Sequence, residues 1–312
     1  MDLRWRRRTF PLIRPIEVGG VESRKRTVIE LQLDGRWSEV SPLPGLHHEP
    51  LEALPPLLPG ALALLRQVHG TYLEQLAALN ALPAWSALPP SLRCGLEGAL
   101  MVVPDDLERP GSDMPPTALL VDQDPTEPLD HLSGVRCVKV KVGRRALDAE
   151  LALLARVRAT VAADAELRLD ANRAFTLDEA VAFTAAVGEA PASIEEPLRD
   201  PRELPEFIAR TGWPVALDES LHEPSLRHLR TVDGVVAWVI KPTLLGVYHT
   251  LALFDQAPAG VACVVSASFE GPVGLGLLME LAEVAPGCPS PGLGTVHWLA
   301  DDGHASRWTE VR

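Results

Sequence analysis

The stretch Val135–Gly143 reads Val-Arg-Cys-Val-Lys-Val-Lys-Val-Gly, with valines alternating with two lysines. Alternation with a period of two residues and β-branched side chains predicts a strand. Lys139 and Lys141 then project from the same face, because side chains i and i+2 share a side of a strand. Neighbouring ammonium groups repel each other, so we expect a lowered pKa for at least one lysine, which would make it a usable general base. An edge strand with a solvated lysine face is the alternative that this stretch alone leaves open.

Around this stretch, short apolar runs alternate with helical patterns. The predicted strands are Ala118–Val121, Val135–Val142, Leu167–Leu169, Ser193–Ile194, Val215–Leu217, Val235–Ile240 and Val261–Val265. The predicted helices are Leu147–Val161, Leu177–Val187, Arg202–Arg210, Pro224–Leu229, Val247–Gln256 and Val273–Val284. Alternation at roughly 25-residue intervals predicts parallel βαβ units, and seven or eight of them fit a closed α/β barrel better than an open sheet. No GxGxxG motif follows a first strand, so dinucleotide binding has no support.

The first third of the chain has a different order of elements. Strand patterns come first, at Leu3–Pro11 and Thr27–Leu33 around a polar link, with a possible third strand at Trp37–Val40. Helical patterns follow, at Leu57–Val68, Tyr72–Leu82 and Leu92–Val103. Strands followed by helices predict an α+β domain, and the proline-rich segment Pro104–Pro116 is the expected linker. We therefore expect an N-terminal α+β domain over 1–105, a barrel over 106–296 and a C-terminal segment over 297–312 that packs on the first domain.

Composition excludes several function classes. The net charge of −13, from 42 acidic and 29 basic residues, argues against nucleic acid as a partner. No apolar run is long enough for a membrane span, and the charged N-terminus lacks the apolar region of a signal peptide. Four widely spaced cysteines without a CxxC pair indicate buried thiols of a reducing compartment. We therefore expect a cytoplasmic protein that acts on a small molecule, with its oligomeric state left open.

Charged residues follow the apolar runs of successive predicted strands. In chain order they are Lys139 and Lys141, Arg168 and Asp170, Glu195, Asp218 and Lys241. From Lys141 onward the spacing is roughly one βα unit, and in a parallel barrel the functional residues lie at the carboxyl ends of strands. Three converging carboxylates repel each other unless a cation neutralises them, and oxygen ligands suit Mg²⁺, with Mn²⁺ as a possible substitute. A helix N-cap is the alternative for any single acid, but not for the whole series.

The motifs carrying these residues are Lys-x-Lys, Leu-Asp-Ala-Asn, Ile-Glu-Glu-Pro, Leu-Asp-Glu-Ser and Ile-Lys-Pro-Thr, which begin at residues 139, 169, 194, 217 and 240. In this order they resemble the enolase superfamily in its muconate-lactonising branch. Trp37–Gly45 and the segments around Asp170, Asp218 and Lys241 are most similar to the o-succinylbenzoate synthase family. The resemblance implies a modified (β/α)7β TIM-type barrel with an N-terminal α+β capping domain.

The resemblance also implies roles for individual residues. Asp170, Glu195 and Asp218 would be the Mg²⁺ ligands, with Glu195 preferred to Glu196 because related Glu-Gln-Pro motifs keep only the first acid. Lys141 would be the base, Lys139 would lower its pKa and orient it, and Lys241 would stabilise the enolate from across the ring. Arg168 and Asn172 are candidates for contacts near the metal and the substrate.

Other expectations concern the rest of the pocket. Ser266 and Ser268 would bind the succinyl end of the substrate, although Ala267 replaces the middle one of three serines found in many relatives. Gly19–Arg26 and Pro42–His48 are the expected lids, with His47 and His48 exposed on the second. His297 and His304 lack ligand spacing and are expected to be structural, while Trp298 and Trp308 are expected to anchor the C-terminal segment.

The function implied is that of a Mg²⁺-dependent dehydratase. It would convert 2-succinyl-6-hydroxy-2,4-cyclohexadiene-1-carboxylate to o-succinylbenzoate by syn elimination of water through a metal-stabilised enediolate, in menaquinone biosynthesis. An N-acylamino acid racemase, a dipeptide epimerase or a muconate-type cycloisomerase would use the same site. Dipeptide epimerases typically carry Asp-x-Asp after the eighth strand, where this chain has the adjacent pair Asp301-Asp302. A non-catalytic metal-binding barrel would have no reason to keep all three lysines.

Overall fold

The computed structural model describes residues 1–101, 119–121, 127–287, 290–300 and 303–311. The expected linker and the pair Asp301-Asp302 lie outside the described residues. Within them there are two sheets, an antiparallel one built mainly from the N-terminal residues and a parallel one of seven strands. No helix in the described ranges is long and apolar enough to cross a bilayer.

The antiparallel sheet, here called the cap sheet, begins with a long hairpin. Strand β1 (Leu3–Val18) pairs with β2 (Val21–Leu33) along nearly its whole length, and β2 pairs with β3 (Arg36–Val40). The expectation of a polar link between two short strands is therefore wrong. Only Gly19 and Gly20 form the turn, and the polar residues after them belong to β2 because the neighbouring strand supplies backbone partners that override their weak strand propensity.

Helices cover the inner face of the cap sheet, where the buried side chains of β2 and β3 pack against them. They are α1 (Leu58–Leu65), α2 (Tyr72–Asn80), α3 (Pro83–Ser86) and α4 (Pro90–Leu100). The Thr71 side chain caps α2 and accepts a hydrogen bond from the Glu74 amide, in a capping box. Three of these helices were expected, and each ends two or three residues earlier than the sequence pattern suggested.

The parallel sheet follows the strand pattern of the sequence. Its strands are β4 (Leu119–Val121), β5 (Cys137–Lys141), β6 (Glu166–Asp170), β7 (Ser193–Glu195), β8 (Val215–Leu217), β9 (Val235–Ile240) and β10 (Ala262–Val265). They lie side by side in chain order, all parallel. The carboxyl ends of all these strands therefore meet at one edge of the sheet.

Helices follow the strands as expected. They are α5 (Leu147–Thr160), α6 (Leu177–Val187), α7 (Leu204–Thr211), α8 (Glu219–His222), α9 (Val247–Gln256) and α10 (Pro272–Val284). The helix predicted near Pro224–Leu229 is a 3₁₀ helix, Pro224–Thr231. Ser266, just after β10, forms a parallel bridge with Gly292, and the 3₁₀ turn Gly294–Trp298 lies beside β4. The segment after α10 thus takes the eighth position, which confirms the expected (β/α)7β architecture.

The cap is joined to the barrel by two buried glutamates. Glu97 of α4 accepts a hydrogen bond from the Tyr248 amide at 3.0 Å, at the start of α9. Glu39 of β3 accepts from the Gly271 and Gly274 amides at 2.8 and 3.2 Å, at the start of α10. A carboxylate is stabilised at a helix N-terminus by the unpaired amides and the helix dipole. These contacts hold the cap over the loops that follow β9 and β10.

The C-terminal segment lies against the cap sheet. Strands β11 (His304–Ala305) and β12 (Thr309–Glu310) pair with β1. Trp308 lies edge-on to Trp37 at 5.2 Å between ring centroids, while Trp298 is buried against Phe269 at 5.8 Å. Both tryptophans are therefore packed.

Candidate active site

The charged residues singled out in the sequence line one cavity of about 190 Å³ at the carboxyl end of the parallel sheet. Register explains their proximity, because Lys141 of β5 is paired with Asp170 of β6, and Asp170 with Glu195 of β7. Asp218 and Lys241 directly follow β8 and β9 and line the same cavity. The structure thus brings together all the strand-end residues that the spacing pointed to.

Lys139 and Lys141 both reach into the acidic side of the cavity. The ammonium nitrogen of Lys139 lies 3.0 Å from Asp170 Oδ2 and 3.1 Å from Glu195 Oε2. That of Lys141 lies 2.6 Å from Asp170 Oδ2 and donates to Asn172 Oδ1, also at 2.6 Å. The two amines therefore share one carboxylate, and the solvated lysine face of an edge strand is excluded.

Lys241 approaches from the other side of the carboxylate group. It comes from β9, three strands further round the sheet than Asp170, and is paired with Asp218. The Lys241 side chain is half-buried, while this carboxylate is buried. The cavity is consequently flanked by amines on both sides, with the three acids between them.

Burial and charge together displace the pKa values of these groups. Burial raises the pKa of Glu195 to about 8, and the neighbouring Asp170 carboxylate adds to the rise. Burial also raises the pKa of Asp170, but Lys139 and Lys141 outweigh it and hold the pKa well below its usual range. For Lys139, burial lowers the pKa, but the carboxylates of Asp170 and Glu195 outweigh it and the net pKa is raised. Ammonium repulsion therefore does not lower the pKa of Lys139, because acids surround this lysine more closely.

Glu195 and Glu196 are adjacent in the chain but have different surroundings. Glu195 ends β7 and lines the cavity. Glu196 has a positive φ of 40°, and its side chain accepts from the amides of Asp218 and Ser220 at 2.9 and 2.8 Å. It also accepts from the Ser220 hydroxyl at 2.7 Å and from Arg173 Nε at 3.0 Å. Glu196 is thus occupied in holding the β8 loop, which leaves Glu195 as the acid that faces the cavity.

Arg168 and Asn172 line the cavity in different ways. Arg168 is buried and donates to Glu166 Oε1 at 2.7 Å and to the Ser290 carbonyl at 2.8 Å, joining β6 to the segment in the eighth position. Asn172 has a φ of 43°. Its side-chain Oδ1 accepts a hydrogen bond from Lys141, and its backbone amide donates to Asp170 Oδ1 at 3.2 Å. Asn172 therefore orients both a lysine and an acid of the site.

The serine segment after β10 forms another wall. Ser266, Ala267 and Ser268 all line the cavity and are buried. The Ser268 amide donates to Glu270 Oε2 at 2.5 Å, while its hydroxyl has no hydrogen-bond partner among the described residues. The loss of a hydroxyl at Ala267 therefore leaves two serine side chains on this wall.

The lids expected at 19–26 and 42–48 meet above the cavity. Val18, Leu43 and Leu46 line it from the cap side. Gly19 and Gly45, both with positive φ, touch so closely that a Cβ on either would run into the backbone of the other segment. His47 is not exposed as expected. It is half-buried, its Nδ1 accepts from the Leu43 amide at 2.9 Å, and burial lowers its pKa to about 4.

Some cavity residues were not predicted from the sequence. Glu219 follows Asp218 in the Leu-Asp-Glu-Ser motif, and burial raises its pKa to about 7 with the help of the Asp218 charge. Its place in the motif was a signal that could have found it. Phe269 and Thr295 also line the cavity. Phe269 lies in an irregular loop and Thr295 in a short 3₁₀ turn, and neither sequence has a periodicity that indicates which way the side chains face.

The expected Mg²⁺ ligands are the carboxylates of Asp170, Glu195 and Asp218. Among the described residues, no three acid, histidine or cysteine side chains converge closely enough to hold an ion as they lie. Lys139 and Lys241 instead take positions against the acids. The chemistry still fits Mg²⁺, since the three buried carboxylates, which come from neighbouring strands, are hard oxygen donors.

Comparison with known proteins identifies the family. The family model for enolase C-terminal domain-like proteins matches residues 130–312. The o-succinylbenzoate synthase of Pectobacterium atrosepticum is 34% identical over 303 residues, which span 90% of this chain and 87% of the relative. The crystal structure of o-succinylbenzoate synthase from Thermosynechococcus elongatus BP-1, with magnesium in its active site, is 25% identical with a TM-score of 0.68, covering 96% of this chain and 95% of that one.

A more distant structure supports the fold alone. Muconate lactonizing enzyme from Pseudomonas fluorescens, complexed with muconolactone, is 18% identical, with a TM-score of 0.74 over 96% of this chain and 89% of that one. The cap and the barrel agree with this architecture. The chain therefore belongs to the enolase superfamily, in its muconate-lactonising branch, and is an enzyme of the carbon–oxygen lyase type similar to the o-succinylbenzoate synthases.

Proposed function

We propose that this enzyme is a Mg²⁺-dependent dehydratase that converts 2-succinyl-6-hydroxy-2,4-cyclohexadiene-1-carboxylate to o-succinylbenzoate, a step of menaquinone biosynthesis. One observation carries the proposal: Lys141 and Lys241 flank a buried cavity from opposite sides, with three carboxylates between them. Amines on both sides of a metal-bound carboxylate suit abstraction of the proton next to that carboxylate. The named relatives, similar over most of the chain, support the choice of substrate.

Asp170, Glu195 and Asp218 would hold the metal ion. Bound Mg²⁺ would supply positive charge against the negative charge that develops on the substrate carboxylate during proton removal. Mn²⁺ has similar ligand preferences and is a possible substitute. Lys139, Lys141 and Lys241 lie close to these acids.

Proton transfer is assigned to Lys141. In its neutral form its Nζ takes the proton from the ring carbon next to the carboxylate, and the C–H electron pair moves into the enolate. As an ammonium group it then returns the proton to the departing hydroxyl on the same face, so that the C–O bond breaks and water leaves in a syn elimination. Asn172 holds Lys141 at 2.6 Å in the direction of the cavity. Lys139 helps orient Lys141 through their shared partner Asp170.

Lys241 would stabilise the enolate electrostatically without moving a proton. Its ammonium group is half-buried, and the Asp218 carboxylate outweighs the effect of burial and raises the pKa of Lys241. A permanently charged group in a site shielded from water stabilises developing negative charge most strongly. Ser266 and Ser268 would receive the succinyl end of the substrate, and Arg168 would shape the opposite wall.

The flanking amines also suit a second activity, racemisation or epimerisation of an N-acylated amino acid. In that reaction Lys241 would itself exchange a proton with the substrate carbon. Incubation of N-succinylamino acids with the enzyme in ²H₂O separates the two proposals, because a two-base racemase incorporates deuterium into both enantiomers. A dehydratase with a non-titrating Lys241 exchanges the proton of one enantiomer at most.

We place the enzyme in the cytoplasm, acting on a small-molecule carboxylate without nucleic acid or membrane partners. The net charge of −13 supports the absence of a nucleic-acid partner.

The decisive experiment incubates the purified protein with Mg²⁺ and the cyclohexadiene carboxylate, and follows the loss of diene absorbance. We expect turnover that EDTA abolishes and added Mg²⁺ restores. Loss of absorbance at the uncatalysed rate, with Mg²⁺ shown to be bound, would contradict the proposed function.

A further inference from the structure

The loop Ser266–Gly271 forms one wall of the cavity and is under conformational constraint. It carries both cavity serines and Phe269, which has a φ of 59°, in the left-handed region that non-glycine residues rarely adopt. Such a conformation persists where the surroundings over-determine it. Contacts from neighbouring segments therefore hold the loop in this shape.

Arg26, on strand β2 of the cap sheet, supplies one of these contacts. Its Nε donates to the Phe269 carbonyl at 2.8 Å. The two terminal nitrogens donate to the carbonyls of Pro42 and Ser41 at 2.8 and 2.5 Å, at the start of the second lid. Arg26 is only 2% exposed. The buried guanidinium of Arg26 thus joins the second lid to the loop Ser266–Gly271. We call this group of hydrogen bonds the Arg26 fork.

Both segments that Arg26 joins present side chains to the substrate. Leu43 and Leu46 of the lid line the cavity together with Phe269 and Ser268 of the loop. At the end of the loop, Glu39 accepts a hydrogen bond from the Gly271 amide, so that the cap fixes the loop from two points. None of the proposed metal ligands is among the partners of the Arg26 fork.

We propose that Arg26 is a positioning residue that sets substrate affinity by locking the second lid, Pro42–His48, to the loop Ser266–Gly271. This inference rests on the proposed function only for the choice of substrate. Without the fork, lid and loop would move independently, and the cavity wall that receives the distal end of the substrate would lose its shape. The metal ligands and Lys141 lie on other strands and would keep their arrangement.

The test compares Arg26→Lys and Arg26→Met with the wild-type enzyme. A lysine keeps the positive charge near Glu39 and Glu270 but cannot reach carbonyls of both segments at once. Arg93→Met is the matched control, since Arg93 is also a buried cap arginine but bonds to Asn80 and does not line the cavity. The measurements are kcat and KM for the dehydration, Mg²⁺ affinity by calorimetry, and hydrogen–deuterium exchange.

We expect KM to rise by about 10- to 100-fold in both Arg26 variants, with kcat and Mg²⁺ affinity changed by less than about 3-fold. Amide exchange should accelerate together at residues 43–47 and 268–271, and stay unchanged in β5–β8. Arg93→Met should lower overall stability without raising KM. The hydrogen–deuterium exchange measurement does not depend on the substrate. It therefore tests the role of Arg26 even if the wild-type enzyme fails to dehydrate the cyclohexadiene carboxylate.

Two results would overturn the inference. One is an unchanged KM in folded Arg26→Lys. The other is faster exchange in only one of the two segments, or faster exchange throughout the cap, which would make Arg26 a purely structural residue. If Arg26→Met does not fold, Arg26→Lys decides between these outcomes.

Discussion

The neighbours Glu195 and Glu196 offer the sharpest test of the site, through substitution of each by glutamine. Glu196 is fully buried, and each of its carboxylate oxygens accepts two hydrogen bonds, from two amides, the Ser220 hydroxyl and Arg173. Glutamine preserves the amide contacts through its carbonyl oxygen. Its NH₂ group, however, faces the Arg173 donor and loses a charge-assisted bond.

The expected cost follows from these contacts. A hydrogen bond to a charged group contributes about 1.5–3 kcal/mol, and leaving a buried donor unpaired adds to this. Arg173 is partly exposed and keeps Glu223 at 2.6 Å, which limits the loss. We therefore expect Glu196→Gln to lower the free energy of unfolding by about 2–4 kcal/mol. Glu195→Gln removes a carboxylate that is costly to bury, so we expect a change within about 1 kcal/mol.

Mg²⁺ binding should be affected in the opposite order, more by Glu195→Gln than by Glu196→Gln. Glu195→Gln should abolish measurable Mg²⁺ binding in calorimetry, while Glu196→Gln should retain it within about 10-fold. Unfolding is followed by circular dichroism in urea with EDTA present, so that bound metal does not add to the stability. Equal stability of the two variants would refute the role given to Glu196. Retained Mg²⁺ affinity in Glu195→Gln, together with its loss in Glu196→Gln, would refute the choice of Glu195 as the metal ligand.

Three further predictions concern single residues. Lys141→Ala should reduce turnover by about 10²–10⁴-fold or more while Mg²⁺ affinity is retained, and comparable activity would remove Lys141 as the base. Asp218→Asn should weaken Mg²⁺ affinity in calorimetry, and an unchanged metal dependence would count against its ligand role. Burial raises the pKa of Glu39 from 4.5 to about 7, so the folded state holds a proton that the unfolded state releases, and stability falls as pH rises through this window. Between about pH 5 and 8, wild-type protein should lose about 2.5 kcal/mol more unfolding free energy than Glu39→Gln. Equal losses in urea titrations would contradict the assignment.

The sequence predicted the barrel well because its signals are local. Strands β8 and β9 and helices α6 and α9 have the bounds expected from apolar runs and helical spacing. In a parallel sheet, the strand ends are brought to one edge by the architecture itself. Placing Lys141, Asp170 and Lys241 around one cavity therefore required only their positions after apolar runs.

Tertiary structure decided what local patterns could not encode. The polar residues 21–26 form a strand because β1 lies beside them, and His47 is half-buried because its ring accepts the Leu43 amide. Glu195 and Glu196 have the same chemistry, and only the packing of Glu196 against the β8 loop separates their surroundings.

Sequence alone thus determined which residues end the strands and what chemistry they bring to the cavity. Folding decided how that cavity is closed, as in the contact of Arg26 with Phe269, 243 positions away. The physical reason is that periodicity reports the burial of each element separately. A hydrogen bond between distant segments depends on how those elements pack, which no single stretch of the chain contains.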